Sequence, residues 1–235
     1  MSEYDVPLTE LLEAGCHFGH QVRRWNPKMK PYVYAKRDGV HIFDLAKTAE
    51  GLKDACMYVK EFAASGKTLL MVGTKRQAKD IVREEAQKAG APFVTERWLG
   101  GTITNWEQIK KSIERLSEMR EKREKDEYKK YTKKENVLLN REIKRLERFF
   151  GGLVGLGTTP DALFVVDTHR EIVAVKEAKS QGISVVGIVD TNAEPEFVDY
   201  VIPANDDAVR SIKLIVSMVA QAYADGKRIA EKKKS

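Results

Sequence analysis

The sequence predicts an α/β fold: a doubly wound, five-stranded parallel sheet with an inserted antiparallel coiled-coil hairpin. Three observations carry this reading. Five short apolar runs, Thr68–Val72, Phe93–Thr95, Ala162–Val166, Ser184–Val189 and Tyr200–Ile202, alternate with segments of helical periodicity. The runs are apolar at consecutive positions, as strands covered on both faces are, so right-handed crossovers should place helices on either side. Residues 104–150 break the alternation with two helical seams and no strand.

Each element has its own signal. Leu8, Leu11 and Leu12 mark a helix over residues 8–14, ended by Gly15. The stretch after it contains Pro27 and Pro31 and reads as irregular. A small hairpin, Tyr32–Ala35 with Val40–Asp44, turns at Asp38-Gly39, because Asp-Gly suits the positive φ of a tight turn. Leu52, Ala55, Cys56, Val59 and Phe62 share one face of a helix over Leu45–Ser65. Thr74 is placed to cap a helix over Lys75–Ala89 that Gly90 closes. In the inserted block, Thr104 with Glu107 and Thr132 with Glu135 have capping-box spacing. Trp106, Ile109, Ile113 and Leu116 form one seam; Leu139, Ile143, Leu146 and Phe150 form the other. Thr168 with Glu171 opens a helix ending near Gly182, and Asn205 caps a last helix through Tyr223. The expected limits are a sheet domain of residues 1–103 and 152–226, a hairpin of 104–151, and a basic tail of 227–235 whose composition argues against order.

The chain has 235 residues, 42% apolar and 32% charged, with a net charge of +6. That is enough for a self-sufficient core and excludes disorder throughout. The charge is segregated. Residues 104–150 hold 15 basic against 10 acidic side chains, residues 16–40 hold six against one, and the last ten hold five against one. The other 153 residues carry 15 basic and 23 acidic side chains, a net −8. An acidic body with three basic appendages suits a polyanion on the appendages and a different partner on the body. The longest apolar runs are strand-sized, so no membrane partner is expected. The first 15 residues hold no basic side chain, unlike a secretory signal. Cys16 and Cys56 form no framework and fit a reducing, cytoplasmic location.

Catalytic motifs fail on inspection. Ser65-Gly66-Lys67-Thr68 ends like a phosphate loop, but Glu61 stands where its first glycine belongs and a strand follows. The glycines of 151–157 also precede a strand and lack dinucleotide spacing. Gly73-Thr74-Lys75-Arg76 could hold a phosphate at the sheet's carboxyl edge; an ordinary capped helix with a solvated first turn is favoured. That segment is the basis of a rival reading, a small-molecule enzyme or sensor. No GxSxG elbow is present, and nothing orients a base for Cys16. Asp190, Glu194, Glu196, Asp206 and Asp207 cluster after the last two strands. If the loop after the first helix folds over that edge, His20 could join Asp190 and Asp206 around zinc, although the helix dipole alone explains acidic residues at 206 and 207. No cofactor is required. Arg23, Arg24, Lys28, Lys30, Lys36 and Arg37 are interleaved with Trp25, Tyr32 and Tyr34 on a proline-stiffened arm, which suits phosphate contacts and base stacking. Arg97-Trp98 brings a second cation and aromatic to the sheet edge.

LLEAGCHFGH, RRWNPKMKPYVYAKRDGVHIFDL, VGTKRQA, ERWLGGTITNW, YTKKENVLLNREIKRLE, PDALFVVDTHREIVAVKEA and GIVDTN…VIPANDDA occur in order over residues 8–226. The ordered set resembles the bacterial small-subunit ribosomal protein two family. The resemblance implies a flavodoxin-like sheet with a protruding coiled coil, no catalytic activity and no small-molecule substrate. It implies a ribosome-associated chain that binds small-subunit ribosomal RNA near the head–body junction. It further implies neighbouring ribosomal proteins as partners, including help in docking the large multi-OB-fold protein that captures messenger RNA. With that frame, Arg23, Arg24, Trp25, Lys28, Lys30, Lys36, Arg37, Arg97, Lys110, Lys111 and Arg115 are the expected RNA contacts, and Asp190, Glu194 and Glu196 the expected protein contact. The basic tail is less typical of the family.

Overall fold

The computed structural model describes residues 4–234; residues 1–3 of the expected sheet domain and Ser235 of the expected tail lie outside the described residues. Helix α1 (Leu8–Glu13) ends at Gly15, whose φ of +77° is the left-handed conformation expected there. Strand β1 (Phe18–Gln21) follows, then two short 3₁₀ turns, Val22–Arg24 and Pro27–Tyr32. Strands β2 (Val33–Arg37) and β3 (Val40–Phe43) form the expected hairpin, with Asp38 at φ 50° and Gly39 at φ 77°. A difference from expectation is β1: it pairs antiparallel with β3, making a three-stranded sheet of order β1-β3-β2.

The main sheet is as expected. Its strands are β4 (Leu69–Val72), β5 (Phe93–Val94), β6 (Ala162–Val166), β7 (Ser184–Val189) and β8 (Tyr200–Pro203), all parallel in the order β5-β4-β6-β7-β8. Alternate residues of each strand feed two cores. Leu69, Met71, Phe164, Val166, Val186 and Ile188 pack with helices α2 (Leu45–Ala64), α3 (Lys79–Ala89) and α7 (Val209–Lys234). Leu70, Val72, Leu163, Val165, Val185 and Val189 pack on the other face with α4 (Trp106–Glu124), α5 (Lys133–Phe150) and α6 (Ile172–Ser180). The seam residues Ile109, Ile113, Leu116, Ile143, Leu146 and Phe150 belong to that second core, so the α4–α5 helical pair shares apolar packing with the sheet. Helix α7 runs through Lys234, so the expected unordered tail is helical up to that residue.

Three expected caps are used differently. Thr132 and Glu135 form their capping box. Thr104 instead bonds Glu177, and no side chain caps α4. Thr168 and Glu171 do not form a box: the Glu171 carboxylate accepts the Thr74 hydroxyl, and α6 starts only at Ile172. Drawing Thr74 away removes the expected cap of α3, which begins at Lys79 instead of Lys75.

Both edges of the sheet are closed by a glycine. At β8, the Pro203 carbonyl accepts the Thr48 hydroxyl at 2.6 Å, and a Cβ on Gly51 would lie 2.4 Å from the Val201 carbonyl oxygen. At β5, a Cβ on Gly152 would lie 2.2 Å from the Phe93 carbonyl oxygen. Helix α2 and the turn Gly151–Leu153 therefore sit directly on edge carbonyls that would otherwise invite another strand. Gly51→Ala and Gly152→Ala should each lose about 1–3 kcal/mol in urea unfolding through overpacking. Gly157, with open space around its Cβ position, provides the control: Gly157→Ala should stay near the parent. Equal stability of all three would refute the edge contacts.

Candidate nucleic-acid interface and the charged sheet edge

In open α/β sheets the ligand crevice lies at the carboxyl ends of the strands where the strand order reverses, here between β4 and β6. In this chain side chains fill it. Lys75, after β4, places Nζ 3.1 Å from Asp167 after β6, and 2.6 Å from both Asp206 and Asp207 after β8. Thr74 bonds Glu171 across the same reversal point. The expected solvated first turn at Lys75 is thus corrected: its side chain is largely buried among three carboxylates. Burial alone would lower the Lys75 pKa, but the attraction of Asp206, Asp207 and Asp167 outweighs it and holds the ammonium form above its ordinary range.

The three-stranded sheet folds over this edge, as a metal site there would need. The backbone N–H of His20 donates to Thr191 Oγ1 at 2.8 Å, and that of Asn26 to the Thr191 carbonyl at 2.7 Å. His20 Nδ1 then lies 3.0 Å from Asp190 Oδ1, and Nε2 lies 3.5 Å from Asp207. His20, Asp190 and Asp206 each offer a ligand atom, all within 4.8 Å of one another. Asp190 and Asp206 are fully buried, and Asp206 Oδ2 has no hydrogen-bond partner. Burial, then Asp190 and Asp167, push the Asp206 carboxyl up to about 8, with Lys75 opposing. The Asp190 carboxylate, against the opposing cost of burial, raises the His20 imidazole pKa. Buried Asp190 is no contact surface, which corrects its assignment to a protein partner; it holds the Asp206 and Thr191 backbone N–H groups instead.

On the arm, Arg23, Arg24, Lys30, Lys36 and Arg37 are exposed, and Tyr34 is 77% exposed. Lys28 differs. Its Nζ sits 2.6 Å from Glu196 and 3.1 Å from Glu194, so an expected RNA cation is engaged by two residues expected to meet a protein. Trp25 is half-buried and stacks on His41 at 4.6 Å. Arg97 is exposed, but Trp98 is buried and donates its indole N–H to Glu177 at 2.9 Å, so no cation–aromatic pair forms at that edge. Lys111 is exposed and Lys110 half-buried, while Arg115 pairs with Glu142 at 2.7 Å.

Sequence reasoning missed three features. Glu177 on α6 accepts the Trp98 indole, the backbone N–H groups of Gly101, Ile103 and Thr104, and the Thr104 hydroxyl. Burial opposes its ionisation, but these donors win and hold its carboxyl below the ordinary range. One carboxylate thereby fixes the loop that launches α4. Lys75 was placed correctly after a strand, but its three carboxylates come from two distant segments, after β6 and after β8. Lys134, Arg141, Lys144 and Arg145 form an exposed face of α5, and none has an ion-pair partner among the described residues. Their period of three and four was the available signal.

Neither cysteine is poised for chemistry. Both are buried, and burial pushes the Cys56 thiol up to about 12 and raises that of Cys16. No helix among the described residues is long and apolar enough to cross a membrane. The geometry defines a doubly wound α/β protein whose ligand crevice is closed by internal ion pairs and whose unpaired cations lie on its surface. Comparison with known proteins makes this specific. The family model described as Ribosomal protein S2 matches residues 11–226. The chain is 49% identical over 228 residues to "Small ribosomal subunit protein uS2" of Koribacter versatilis, covering 97% of this chain and 76% of that one. It is 47% identical over 231 residues to the protein of the same name from Acinetobacter baylyi, covering 98% and 93%. The chain belongs to the ribosomal protein S2 family, non-enzymatic structural constituents of the small ribosomal subunit that serve translation.

The charged edge makes a pH prediction. Asp206 and His20 both have folded-state pKa values above their unfolded ones, so their stabilising contribution is present at low pH and lost as pH rises through the folded values. In chelator-washed protein the melting temperature should fall between about pH 4 and 8, from the unfolded to the folded value of Asp206, and Asp206→Asn should flatten that fall. An unchanged profile in Asp206→Asn would refute the assignment.

Proposed function

We propose that this chain binds small-subunit ribosomal RNA through the exposed cations of the arm and of the β2–β3 hairpin, in a cytoplasmic ribosome. The observation that carries this is the contrast between Lys28, held by Glu194 and Glu196, and Arg23, Arg24, Lys30 and Lys36, none of which has an ion-pair partner among the described residues. Exposed Tyr34 adds a stacking face, and Arg97, Lys110, Lys111 and the outer face of α5 extend the basic surface. Affinity of this kind comes from phosphate neutralisation and counterion release. Replacing Arg23, Arg24, Lys30 and Lys36 by Ala should flatten the salt dependence of RNA binding, by about 0.7–0.9 in log–log slope for each phosphate no longer neutralised. Lys28→Ala should leave the slope near the parent value. Equal losses from Lys28 and from the free cations would refute the reading.

The protein contact moves with the burial of Asp190. Half-exposed Asp207, Leu8, Leu12, Phe18 and Val209 supply an accessible polar and apolar surface beside the charged edge. This surface, together with Glu194 and Glu196 on the arm side of the edge, suits the docking of the large multi-OB-fold protein.

The unpartnered, buried Asp206 Oδ2 supports His20, Asp190 and Asp206 as ligands of a zinc ion. One imidazole and two carboxylates are a donor set zinc accepts, leaving a fourth position for water or a partner. Four carboxyl groups here face two cationic groups, Lys75 and His20, and Asp206 is raised enough to hold a proton near neutral pH, so bound zinc would take that proton's place between Asp190 and Asp206. Chelator-washed protein should take up about one zinc per chain, more tightly as pH rises and His20 and Asp206 lose protons. His20→Ala should weaken uptake by well over the roughly 10-fold that an outer-shell loss costs. No uptake at any pH would remove zinc from the account.

A further inference from the structure

A groove of about 1230 Å³ lies between α2, the Pro27–Tyr32 turn and the β8 end of the sheet; it shares Lys28, Lys30 and Glu196 with the arm, while its α2 wall has no role assigned above. Its floor is aromatic: Tyr58 stacks on Tyr200 with ring centroids 4.0 Å apart, and Met57 stands 43% exposed beside them. One wall is the outward face of α2, where Glu50, Asp54 and Glu61 are exposed at helical spacing. Pro27, Pro31 and Tyr32 contribute to the arm side of the lining.

The charges of this groove are unequally used. Lys28 is held by Glu194 and Glu196, the Lys47 ammonium donates to the Pro31 carbonyl, and Asp199 pairs with Lys179 at 2.6 Å. Glu50, Asp54 and Glu61 have no ion-pair partner among the described residues and follow one another along a single helix face; of the lining cations Lys30 and Lys47 also lack one, so three unpaired carboxylates face two unpaired ammonium groups. Burial, then Tyr58 and the carboxylates of Asp199, Glu61 and Asp54, raise the Tyr200 phenol pKa, the direction a negative groove imposes. Phosphate would be repelled by this wall, whereas a cationic chain would gain both charge contacts and apolar cover.

We propose that this groove docks a basic polypeptide segment of a neighbouring protein, with Lys or Arg side chains meeting Glu50, Asp54 and Glu61 and an apolar side chain covering the Tyr58–Tyr200 floor. The α2 wall sets the spacing: side chains four and seven residues apart lie about 6 and 10 Å apart along a helix. An occupant should therefore present cations at comparable intervals. The inference rests on membership in a multi-protein particle, and Lys30, on the arm side of the groove, is the one lining cation it shares with the proposed RNA contacts.

A photo-crosslinking residue substituted at Met57 tests it in assembled small subunits. Incorporation of the labelled chain into subunits is measured first, so that failure of assembly is not mistaken for failure of the groove. The expected result is a protein cross-link to a segment with at least two Lys or Arg residues, falling about 10-fold or more when Glu50, Asp54 and Glu61 are all replaced by Lys. Cross-links to RNA, cross-links to a segment without basic residues, no protein cross-link from incorporated chain, or a yield unchanged by charge reversal would each overturn it.

Discussion

The structure depends on one buried charge cluster at the carboxyl edge of the parallel sheet. Lys75 follows β4, Asp167 follows β6, Asp190 follows β7, and Asp206 and Asp207 follow β8. His20 reaches the same point from the accessory sheet. Charges this deep attract strongly because little water screens them, and removing one partner leaves the others uncompensated at a cost of about 3–5 kcal/mol. The cluster thereby ties together four strand ends and the arm. It also fills the place where such sheets bind ligands.

Internal pairing of charge governs the surface as well. Counted along the sequence, the arm carries six cations; in space, one of them belongs to the acidic edge. Lys28 bridges Glu194 and Glu196, so the arm is fastened at both ends, by Lys28 at one and His20 at the other. The helical pair repeats the pattern. Arg115 pairs with Glu142, Arg120 with Glu147 and Arg148 with Glu96, leaving a different set of cations outward on α5. The cations left unpaired at the surface are therefore a remainder, fixed by which residues the fold brings together.

How far this was legible depends on the range of the interaction. The five core strands were, because burial on both faces writes consecutive apolar residues into the chain. So were the seams of α4 and α5 and the Asp38-Gly39 turn, which depend on local periodicity and backbone preference. Strand β1 was not. Phe18–Gln21 alternates poorly, and its place requires Gly19 to pass Thr191 so closely that a Cβ would lie 2.6 Å from its methyl group. The Thr104 and Thr168 caps were misread for a related reason: local spacing proposed one partner, and Glu177 and Thr74 supplied competing ones for Thr104 and Glu171 from far along the chain. The His20, Asp190 and Asp206 grouping was reachable because residues after adjacent parallel strands must share an edge. Lys75 at its centre was missed, since one lysine after a strand looks like any solvated helix start.

Hydrogen exchange on Lys75→Met tests the central claim most directly. The substitution keeps much of the side-chain bulk and removes only the cation at the centre of the cluster. Amides of Phe18–Phe43, held to the sheet through His20 and Thr191, should exchange markedly faster, while those of β5 and the α4–α5 pair should change little. Protection of Phe18–Phe43 identical to the parent would contradict the claim that this buried charge cluster holds the arm in place.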